Sequence, residues 1–292
     1  MNFASLPKNE MSMVDVLAFL RHYGYFSDII EHIEDMTVSD LFKKIKTKKF
    51  KNPKLRDAVA RFQKFYKITE DGDFGPETMR AMSLPRCGVP DFVPAGAAAA
   101  GQCKWPHLDV TYAFDLSLSG VTDEQTTQAF VEACELWNAV CGLEMRHIDN
   151  LSDANIWAKS SRIDGRGGTL AWSYLPCGAS KNTQLEQRYD TGDGWSTSFL
   201  REVICHEVGH ALGLNHHNGN SIMHPTATGQ WPVPQAVDIR SVVSRYGEPK
   251  PKPEPEPEPP TPGPGNGNTI SGTIFINSFP YQLVPEVDFG GL

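Results

Sequence analysis

Three histidines and one glutamate lie close together in HEVGHALGLNH, residues 206–216. On a helix, residues four apart lie one turn above each other, so His206 and His210 can direct their imidazoles at one point. Gly213 permits the left-handed turn that ends a helix, and the chain can then bring His216 to the same point. Three neutral imidazoles with an open fourth position are typical of a catalytic zinc site.

Glu207 follows the first histidine and lies at the edge of the same helical face. From there its carboxylate can reach a water molecule at the metal without becoming a ligand, which is the position of a general base. The HExxH pattern alone also arises by chance, but the added glycine and third histidine make a chance origin rare. The pattern therefore predicts a hydrolytic metal site with Glu207 as its base.

The pattern HExxHxxGxxH followed by a methionine, here Met223 in SIMHP, resembles the metzincin zinc proteases. The segment PRCGVPD, residues 85–91, resembles the cysteine switch of matrix metalloproteinase proforms. This resemblance implies that the Cys87 thiolate is a fourth zinc ligand, which excludes the water and keeps the enzyme latent. It also implies that Arg86 and Asp91 pair to brace the switch loop. Met223 would form an apolar floor under the ligands, the alternative being an ordinary core methionine.

Matrix metalloproteinases also hold a second, structural zinc, and the resemblance places Trp172 and Arg188 at two of its ligand positions. Neither side chain binds zinc, so the structural zinc is predicted to be absent, with Trp172 filling its volume by apolar packing. The sequences DGRGG and DTGDG correspond to a calcium site of the family, although both could be simple turns. Oxygen ligands of this kind suit calcium. The implied calcium ligands are Asp164, Gly165, Gly167, Thr169, Asp190 and Asp193, the glycines and the threonine through their carbonyls.

A second calcium site of the family requires an aspartate where this chain has Asn155, which argues against that site. Glu202 lies one turn before His206, near the pocket that sets specificity in the family. The sequence therefore leaves the substrate preference open.

The 292 residues divide by composition into two domains, a spacer and a tail. Residues 1–94 are predicted to form a small all-α propeptide, in which the turn DGDFGPET resembles the peptidoglycan-binding helical fold. Residues 95–101 are a connector, residues 102–247 the catalytic domain, and residues 248–268 an extended Pro/Glu-rich linker. The tail, residues 269–292, has no assigned role. The predicted fold class is α+β, with the twisted mixed sheet and the long active-site helix of a metzincin.

Apolar periodicity predicts helices at residues 11–26, 57–67, 78–82, 122–140, 196–212 and 235–246. Alternating and β-branched runs predict strands at residues 108–114, 154–159 and 168–174, and the run 270–276 resembles a strand. The strand at 168–174 is expected to offer backbone hydrogen bonds to an extended substrate.

The six cysteines form no CxxC pair, which argues against a cysteine-only zinc site. Cys134 and Cys141 are predicted to lie about 10 Å apart on one helix, too far to bond each other. Either of them could pair with Cys103 or Cys177, and Cys205 is predicted to be a small buried apolar residue.

The formal net charge of -8 argues against a nucleic-acid binder. No stretch approaches the ~18 apolar residues of a membrane span, and no signal peptide is visible. Secretion to the extracellular space is therefore expected from the resemblance alone. The basic run at residues 43–54 lies where family propeptides carry a protease-sensitive bait loop, and a solvated loop is its alternative.

These observations predict a latent zinc endopeptidase that an activating protease releases. Its substrates would be extended proteins, those of the extracellular matrix among them. The alternative function is a cell-wall or matrix polysaccharide-binding protein, in which the helical N-terminal domain dominates and proteolysis is secondary.

Overall fold

The computed structural model describes residues 13–26, 53–92, 103–177, 183–250, 273–276 and 279–282. The chain divides into two units, Met1–Lys250 and Pro251–Leu292, which are described separately. The connector at residues 95–101 and nearly all of the basic run at residues 43–54 lie outside the described residues, as does most of the Pro/Glu-rich linker.

The first unit begins with three helices, and strands and helices follow in a mixed order. The helices are α1 (Met13–His22), α2 (Pro53–Tyr66), α3 (Pro76–Met82), α4 (Asp123–Asn138), α5 (Thr197–Ala211) and α6 (Ala236–Tyr246). The strands are β1 (Arg86–Cys87), β2 (Asp109–Asp115), β3 (Glu144–His147), β4 (Ile156–Ser161), β5 (Thr169–Ser173) and β6 (Leu185–Asp190).

One six-stranded sheet, in the order β1-β5-β6-β4-β2-β3, forms the centre of this unit. β5 and β6 are antiparallel, and the other neighbouring pairs are parallel, so the sheet is mixed as predicted. β1 comes from the segment with the switch sequence and covers the free side of β5. Without β1, the β5 strand would be the edge of the sheet.

Two long helices, α4 and α5, pack on each other and share the main hydrophobic core with the sheet. The Trp137 indole of α4 donates a hydrogen bond of 2.9 Å to the carbonyl of Cys205 in α5. The Trp105 indole donates in the same way to the carbonyl of Ala211, again at 2.9 Å. Both tryptophans are buried, so these bonds satisfy their polar groups while the rings fill the core.

The helical segment has its own aromatic core, in which Phe62 of α2 contacts Phe19, Tyr25 and Tyr66. Beneath the DGDFGPET turn lies the buried amide of Gln63. It donates to Asp71 at 2.7 Å and to Thr78 at 2.9 Å, and it accepts from the Gly72 amide at 2.8 Å. A single core glutamine thus connects the turn to α2 and α3.

The predicted helices are found, with shifts at their ends. α5 begins after Ser196, whose hydroxyl accepts a hydrogen bond from the Phe199 amide and caps the helix. α2 begins at Pro53, four residues before its predicted start, and α3 at Pro76, inside the predicted turn. The strands β3 and β6 were not predicted, because neither contains a regular apolar run.

Cys103 and Cys177 form a disulfide that spans 74 positions of the chain. Pairing of either with Cys134 or Cys141, which the sequence left open, is therefore wrong, because both of these cysteines are free and buried. Placing Cys141 on the same helix as Cys134 is also wrong, since α4 ends at Asn138. Cys205 is free and buried, as predicted.

The second unit contains a two-stranded antiparallel hairpin, β7 (Thr273–Ile276) and β8 (Phe279–Gln282). β7 lies within the strand-like run expected at residues 270–276. In the part of the chain that the structure describes, no helix combines the length and the apolar character needed to cross a bilayer.

Candidate metal centre

The last two turns of α5 carry His206 and His210 on one face. Beyond the helix, Gly213 adopts a φ of +89°, and the Leu214 amide bonds back to the Gly209 carbonyl at 3.0 Å. This left-handed ending reverses the chain and returns His216 to the same face.

The three imidazoles meet through their Nε2 atoms. His216 Nε2 lies 3.3 Å from His206 Nε2 and 3.2 Å from His210 Nε2. The Cys87 sulfur lies 3.5 Å from His210 Nε2. The four ligand atoms all lie within 4.8 Å of one another, and no other group of histidine, cysteine and acidic side chains in the described residues converges in this way.

The outer nitrogen of each ring has a partner that accepts a hydrogen bond. The Nδ1 contacts are His206 to the Ile222 carbonyl at 2.7 Å, His210 to the Leu214 carbonyl at 2.8 Å, and His216 to the Asp91 carboxylate at 2.7 Å. Each Nδ1 must therefore carry the proton, which leaves each Nε2 with a lone pair and no hydrogen. Three lone pairs face one another at hydrogen-bonding distance with no proton to join them, and only a cation between them makes this arrangement favourable.

The spacing also fits zinc. Four ligands in a tetrahedron with Zn–N bonds of ~2.0 Å and a Zn–S bond of ~2.3 Å have N···N separations of ~3.3 Å and N···S separations of ~3.5 Å. Two of the separations between ring nitrogens, 3.3 and 3.2 Å, and the separation of 3.5 Å between His210 Nε2 and the Cys87 sulfur match these values. The donor set of three imidazoles and one thiolate is one that zinc prefers.

Burial keeps the three rings neutral, as metal ligation requires. It lowers the pKa of His206 and of His210 well below the usual value, and that of His216 to about 4. Burial also raises the pKa of the Cys87 thiol, and the nearby Glu207 carboxylate raises it further. A cation at the centre would reverse this preference for the thiol, because a coordinated sulfur is deprotonated.

Glu207 is fully buried, and neither of its oxygens has a hydrogen-bond partner among the described residues. Burial raises the pKa of this carboxyl group to about 8. The Cys87 thiol and the Glu207 carboxylate affect each other's pKa, although their contact lacks hydrogen-bond geometry. A buried carboxylate without a partner beside a metal-type cluster is suited to accept a proton from a molecule that replaces the thiol.

The switch segment lies in a cleft with an edge on each side. On one side the Arg86 amide donates to the Gly168 carbonyl at 3.0 Å, and the Gly88 amide to the Ala171 carbonyl at 2.8 Å. On the other side the Cys87 amide donates to the Pro225 carbonyl at 2.8 Å. These backbone bonds direct the Cys87 side chain toward the imidazoles.

Arg86 and Asp91 meet beneath this segment, with Arg86 Nη2 2.6 Å from Asp91 Oδ1. The second Asp91 oxygen accepts from the Tyr25 hydroxyl at 2.5 Å, and Arg86 Nη1 donates to the Tyr66 hydroxyl at 2.8 Å. The guanidinium also lies 3.4 Å above the centre of the Tyr23 ring. Burial alone would raise the pKa of Asp91, but the Arg86 guanidinium and the His216 ring outweigh it and hold this pKa well below its usual range.

Met223 packs against Gly209 of α5 and is almost fully buried. A Cβ atom added at Gly209 would lie 2.3 Å from the Met223 sulfur, so only a glycine permits this close packing against α5. The turn that carries Met223 is held by Asp238, whose carboxylate accepts from the Ser221 hydroxyl at 2.5 Å and from the Ile222 amide at 3.0 Å.

The residues of the predicted calcium site lie together, but as parts of two adjoining turns. Asp190 accepts backbone hydrogen bonds from Ile163, Asp164, Gly165 and Gly192. One Asp193 oxygen accepts from the Gly167 amide at 2.8 Å, and the other is buried with no partner among the described residues. Burial raises the pKa of Asp193 to about 6, and the carboxylates of Asp190 and Asp164 contribute.

Trp172 and Arg188, predicted at the positions of structural zinc ligands, face each other across β5 and β6. The Arg188 guanidinium lies 5.0 Å from the centre of the Trp157 ring and also pairs with Glu186. At the position of Arg188, the sheet surface thus carries a cation–π contact with Trp157 and an ion pair with Glu186.

A pocket opens beside the cluster, between α5 and the chain from Ser221 to Trp231. Two acidic residues line this pocket, Glu207 and Glu202. Glu202 is buried and accepts a hydrogen bond from the Gly229 amide at 3.0 Å.

Sequence reasoning did not find Tyr23, Tyr25 and Tyr66 around the switch, because they lie far from it along the chain. It also did not find Asp238. A capping pattern at the start of α6, in which Gln235 and Asp238 bond reciprocally, was the available signal for Asp238.

Comparison with known proteins gives two family matches. Residues 104–247 match the matrixin family, and residues 15–82 match a peptidoglycan binding domain family. The chain is 30% identical over 211 residues to macrophage metalloelastase of Rattus norvegicus, which covers 67% of this chain and 44% of that protein. It is 29% identical over 184 residues to hatching enzyme of Paracentrotus lividus, covering 60% of this chain and 31% of the relative.

Matrix metalloproteinase-16 of Homo sapiens is 30% identical over 230 residues, which is 67% of this chain and 37% of that protein. The alignments thus span less than half the length of these relatives. The matrixin match contains α5, the three imidazoles and every strand of the mixed sheet except β1, while most of the helical segment falls in the second match. Residues 104–247 of this chain therefore belong to the matrixin family.

Proposed function

We propose that the chain is the latent form of a zinc-dependent endopeptidase, with His206, His210 and His216 as zinc ligands and Cys87 as the fourth. The observation that carries the proposal is the meeting of three Nε2 atoms and one sulfur within 4.8 Å of one another, with three of their separations at the values of a zinc tetrahedron. The matrixin match of residues 104–247 supports the same reaction class.

Glu207 is the proposed general base. Bound zinc would supply Lewis-acid chemistry, which acidifies water and stabilises negative charge on a polarised carbonyl oxygen. Once Cys87 has left, the Glu207 carboxylate can accept a proton from the attacking water and then donate it to the leaving amine.

An extended polypeptide is the proposed substrate. The switch segment bonds to the Ala171 carbonyl on one side and to the Pro225 carbonyl on the other. A substrate backbone that replaced it would meet the same two edges, as in other cases of strand addition. Release of Cys87 would thus open both the metal and the binding edge.

Activation is proposed to follow a cut in the connector at residues 95–101 by another protease. The basic run at residues 43–54 is the proposed site of a first cut. Secretion is proposed because the Cys103–Cys177 disulfide is a bond that oxidising compartments maintain.

The test compares full-length variants on a quenched peptide substrate, with zinc content measured for each. The wild type should hold one zinc ion and cleave slowly, and Cys87→Ser should cleave faster without proteolytic activation. Cys141→Ser, at another buried free cysteine, should remain as latent as the wild type. Adding Glu207→Gln to Cys87→Ser should lower kcat by about 10²–10⁴-fold, whereas adding Glu132→Gln on the surface should not. Full activity of the Cys87→Ser/Glu207→Gln variant would refute the role of Glu207.

A calcium ion is proposed to bind between the turns at residues 164–169 and 190–193. The orphaned Asp193 oxygen and the crowding of three carboxylates support it, because a cation would relieve both. Calcium should raise the melting temperature of the full chain more than magnesium does, and Asp193→Asn should remove this difference. Equal effects of the two ions on the wild type would contradict the site.

Polysaccharide binding by the helical segment is a second candidate, favoured by the family match of residues 15–82. The full chain carrying Glu207→Gln should then sediment with insoluble peptidoglycan, and competing soluble glycan fragments should release it. Absence of the chain from the pellet would exclude this function.

A further inference from the structure

Two of the three imidazoles are oriented by the matrixin domain itself. The acceptors for His206 Nδ1 and His210 Nδ1 are the backbone carbonyls of Ile222 and Leu214, which lie in the same domain as the histidines. The acceptor for His216 Nδ1 is different in origin and in charge. It is the carboxylate of Asp91, which lies 125 positions earlier in the chain, in the switch segment.

The contact between Asp91 and His216 is short and fully enclosed. Asp91 Oδ1 lies 2.7 Å from His216 Nδ1, and both side chains have 0% exposure. A charged acceptor makes a stronger hydrogen bond than a neutral carbonyl, and exclusion of water strengthens it further. It fixes the ring with its proton on Nδ1 and its lone pair toward the cluster.

The Asp91 carboxylate is itself held in place by Arg86 of the switch segment and by Tyr25 of the helical segment. Its Oδ1 also receives the Arg86 guanidinium at 2.6 Å, and its Oδ2 receives the Tyr25 hydroxyl at 2.5 Å. The guanidinium is buried against the Tyr23 ring and donates to Tyr66. These contacts prevent the carboxylate from turning away from His216 while the helical segment remains docked.

From this asymmetry we infer that Asp91 is a positioning residue for the metal centre, so that the propeptide supplies a sulfur ligand and also orients the third imidazole. Carboxylates that orient a metal-bound imidazole contribute roughly 10–100-fold to metal affinity. Removal of the propeptide would then take away two supports, Cys87 from the ion and Asp91 from His216. Removal of the propeptide should therefore weaken zinc binding more than loss of the Cys87 thiolate alone does.

This inference rests on the proposed zinc site, and its test measures metal affinity instead of proteolysis. The full chain is prepared as Cys87→Ser, so that the thiolate no longer contributes. Zinc affinity is then measured by competition with a chromophoric chelator for this variant and for the same chain with Asp91→Ala or Asp91→Asn. Cys87→Ser with Tyr25→Phe is the matched control, because it removes another partner of Asp91 and leaves the carboxylate beside His216.

Asp91→Ala should weaken zinc binding roughly 10–100-fold relative to Cys87→Ser alone. Asp91→Asn, which keeps a neutral oxygen in place, should give an intermediate loss, and Tyr25→Phe should change affinity less than either. Circular dichroism of the metal-free variants checks that they fold, and Asp91→Asn serves as the test if Asp91→Ala does not.

With cobalt in place of zinc, the visible ligand-field bands should change with Asp91→Asn and not with Tyr25→Phe. Equal zinc affinities of Cys87→Ser and Cys87→Ser/Asp91→Asn would overturn the inference and leave the zinc site intact. A wild-type chain that binds no zinc would instead refute the proposed function, and the inference with it.

Discussion

Replacement of Gly213 by alanine tests the turn that brings His216 to the other ligands. Gly213 has a φ of +89°, and a Cβ atom there would lie 1.9 Å from the carbonyl oxygen of Cys103. An ordinary contact begins near 3.4 Å, so the two backbones must separate by about 1.5 Å, the difference between these values. Cys103 cannot yield easily, because its side chain is bonded to Cys177.

The cost has two parts. The left-handed conformation of a residue with a Cβ atom costs roughly 1–2 kcal/mol. Displacement of Cys103 also disturbs the nearby Trp105, whose indole bonds to the Ala211 carbonyl, and loss of that bond costs about 1 kcal/mol before any loss of packing. We therefore expect Gly213→Ala to lower the free energy of unfolding by about 3 kcal/mol or more, and to weaken zinc binding through His216.

Urea unfolding of the full chain in a metal chelator measures the first effect, and chelator competition measures the second. Gly165→Ala is the matched control, because Gly165 has a φ of +91° and an added Cβ atom would find no atom within 4 Å. It should show the conformational cost alone. If the two variants lose the same stability, the contact between Gly213 and Cys103 does not constrain the turn and the reasoning fails.

Three further outcomes are expected. Asp238→Ala should destabilise the chain by about 3 kcal/mol in urea unfolding, because it leaves the Ser221 hydroxyl and the Ile222 amide without their charged acceptor. A change below about 1 kcal/mol would contradict this role of Asp238. Burial raises the pKa of Tyr246 from 10.0 to about 12, so the folded chain favours the neutral phenol. This preference contributes to the free energy of unfolding in full below pH 10, and the contribution is lost as the pH rises through 12. Tyr246→Phe should therefore show a shallower fall in melting temperature between pH 10 and 12, and an unchanged slope would exclude this cause. In the pocket beside His206, the Glu202 carboxylate should favour peptides with lysine over leucine after the cleaved bond, and Glu202→Gln in the activated chain should reduce this ratio of kcat/KM several-fold.

The catalytic helix could be predicted because its determinants are local. Ser196 caps it, the histidine spacing fixes one face, and Gly213 ends it, all within 20 residues of sequence. β6 could not be predicted in the same way. Its inward side chains include Gln187, which is fully buried and satisfied by Ser173 and Tyr189, and a polar residue at a core position hides the alternation.

The surroundings of the switch depend on contacts between distant parts of the chain. Tyr25 lies 66 positions from Asp91, and the cysteines of the disulfide lie 74 positions apart. Composition and periodicity carry no information on such pairings. The family resemblance indicated that Arg86 and Asp91 meet, but nothing in the sequence indicated which side chains enclose them. The contact of Asp91 with His216 belongs to the same class, because it arises only when two segments dock.

The Cys103–Cys177 disulfide has a consequence for the active form that the proposed cut would produce. A cut in the connector at residues 95–101 would create a new chain end within a few residues of Cys103. Most new ends of this kind fray, but this one would stay bonded to Cys177, four residues after β5, the proposed substrate-binding strand. A cross-link across 74 positions restricts the unfolded chain by about 4 kcal/mol. The mature protease would therefore lose durability in a reducing environment, and exposure to thiols could limit how long it acts once released.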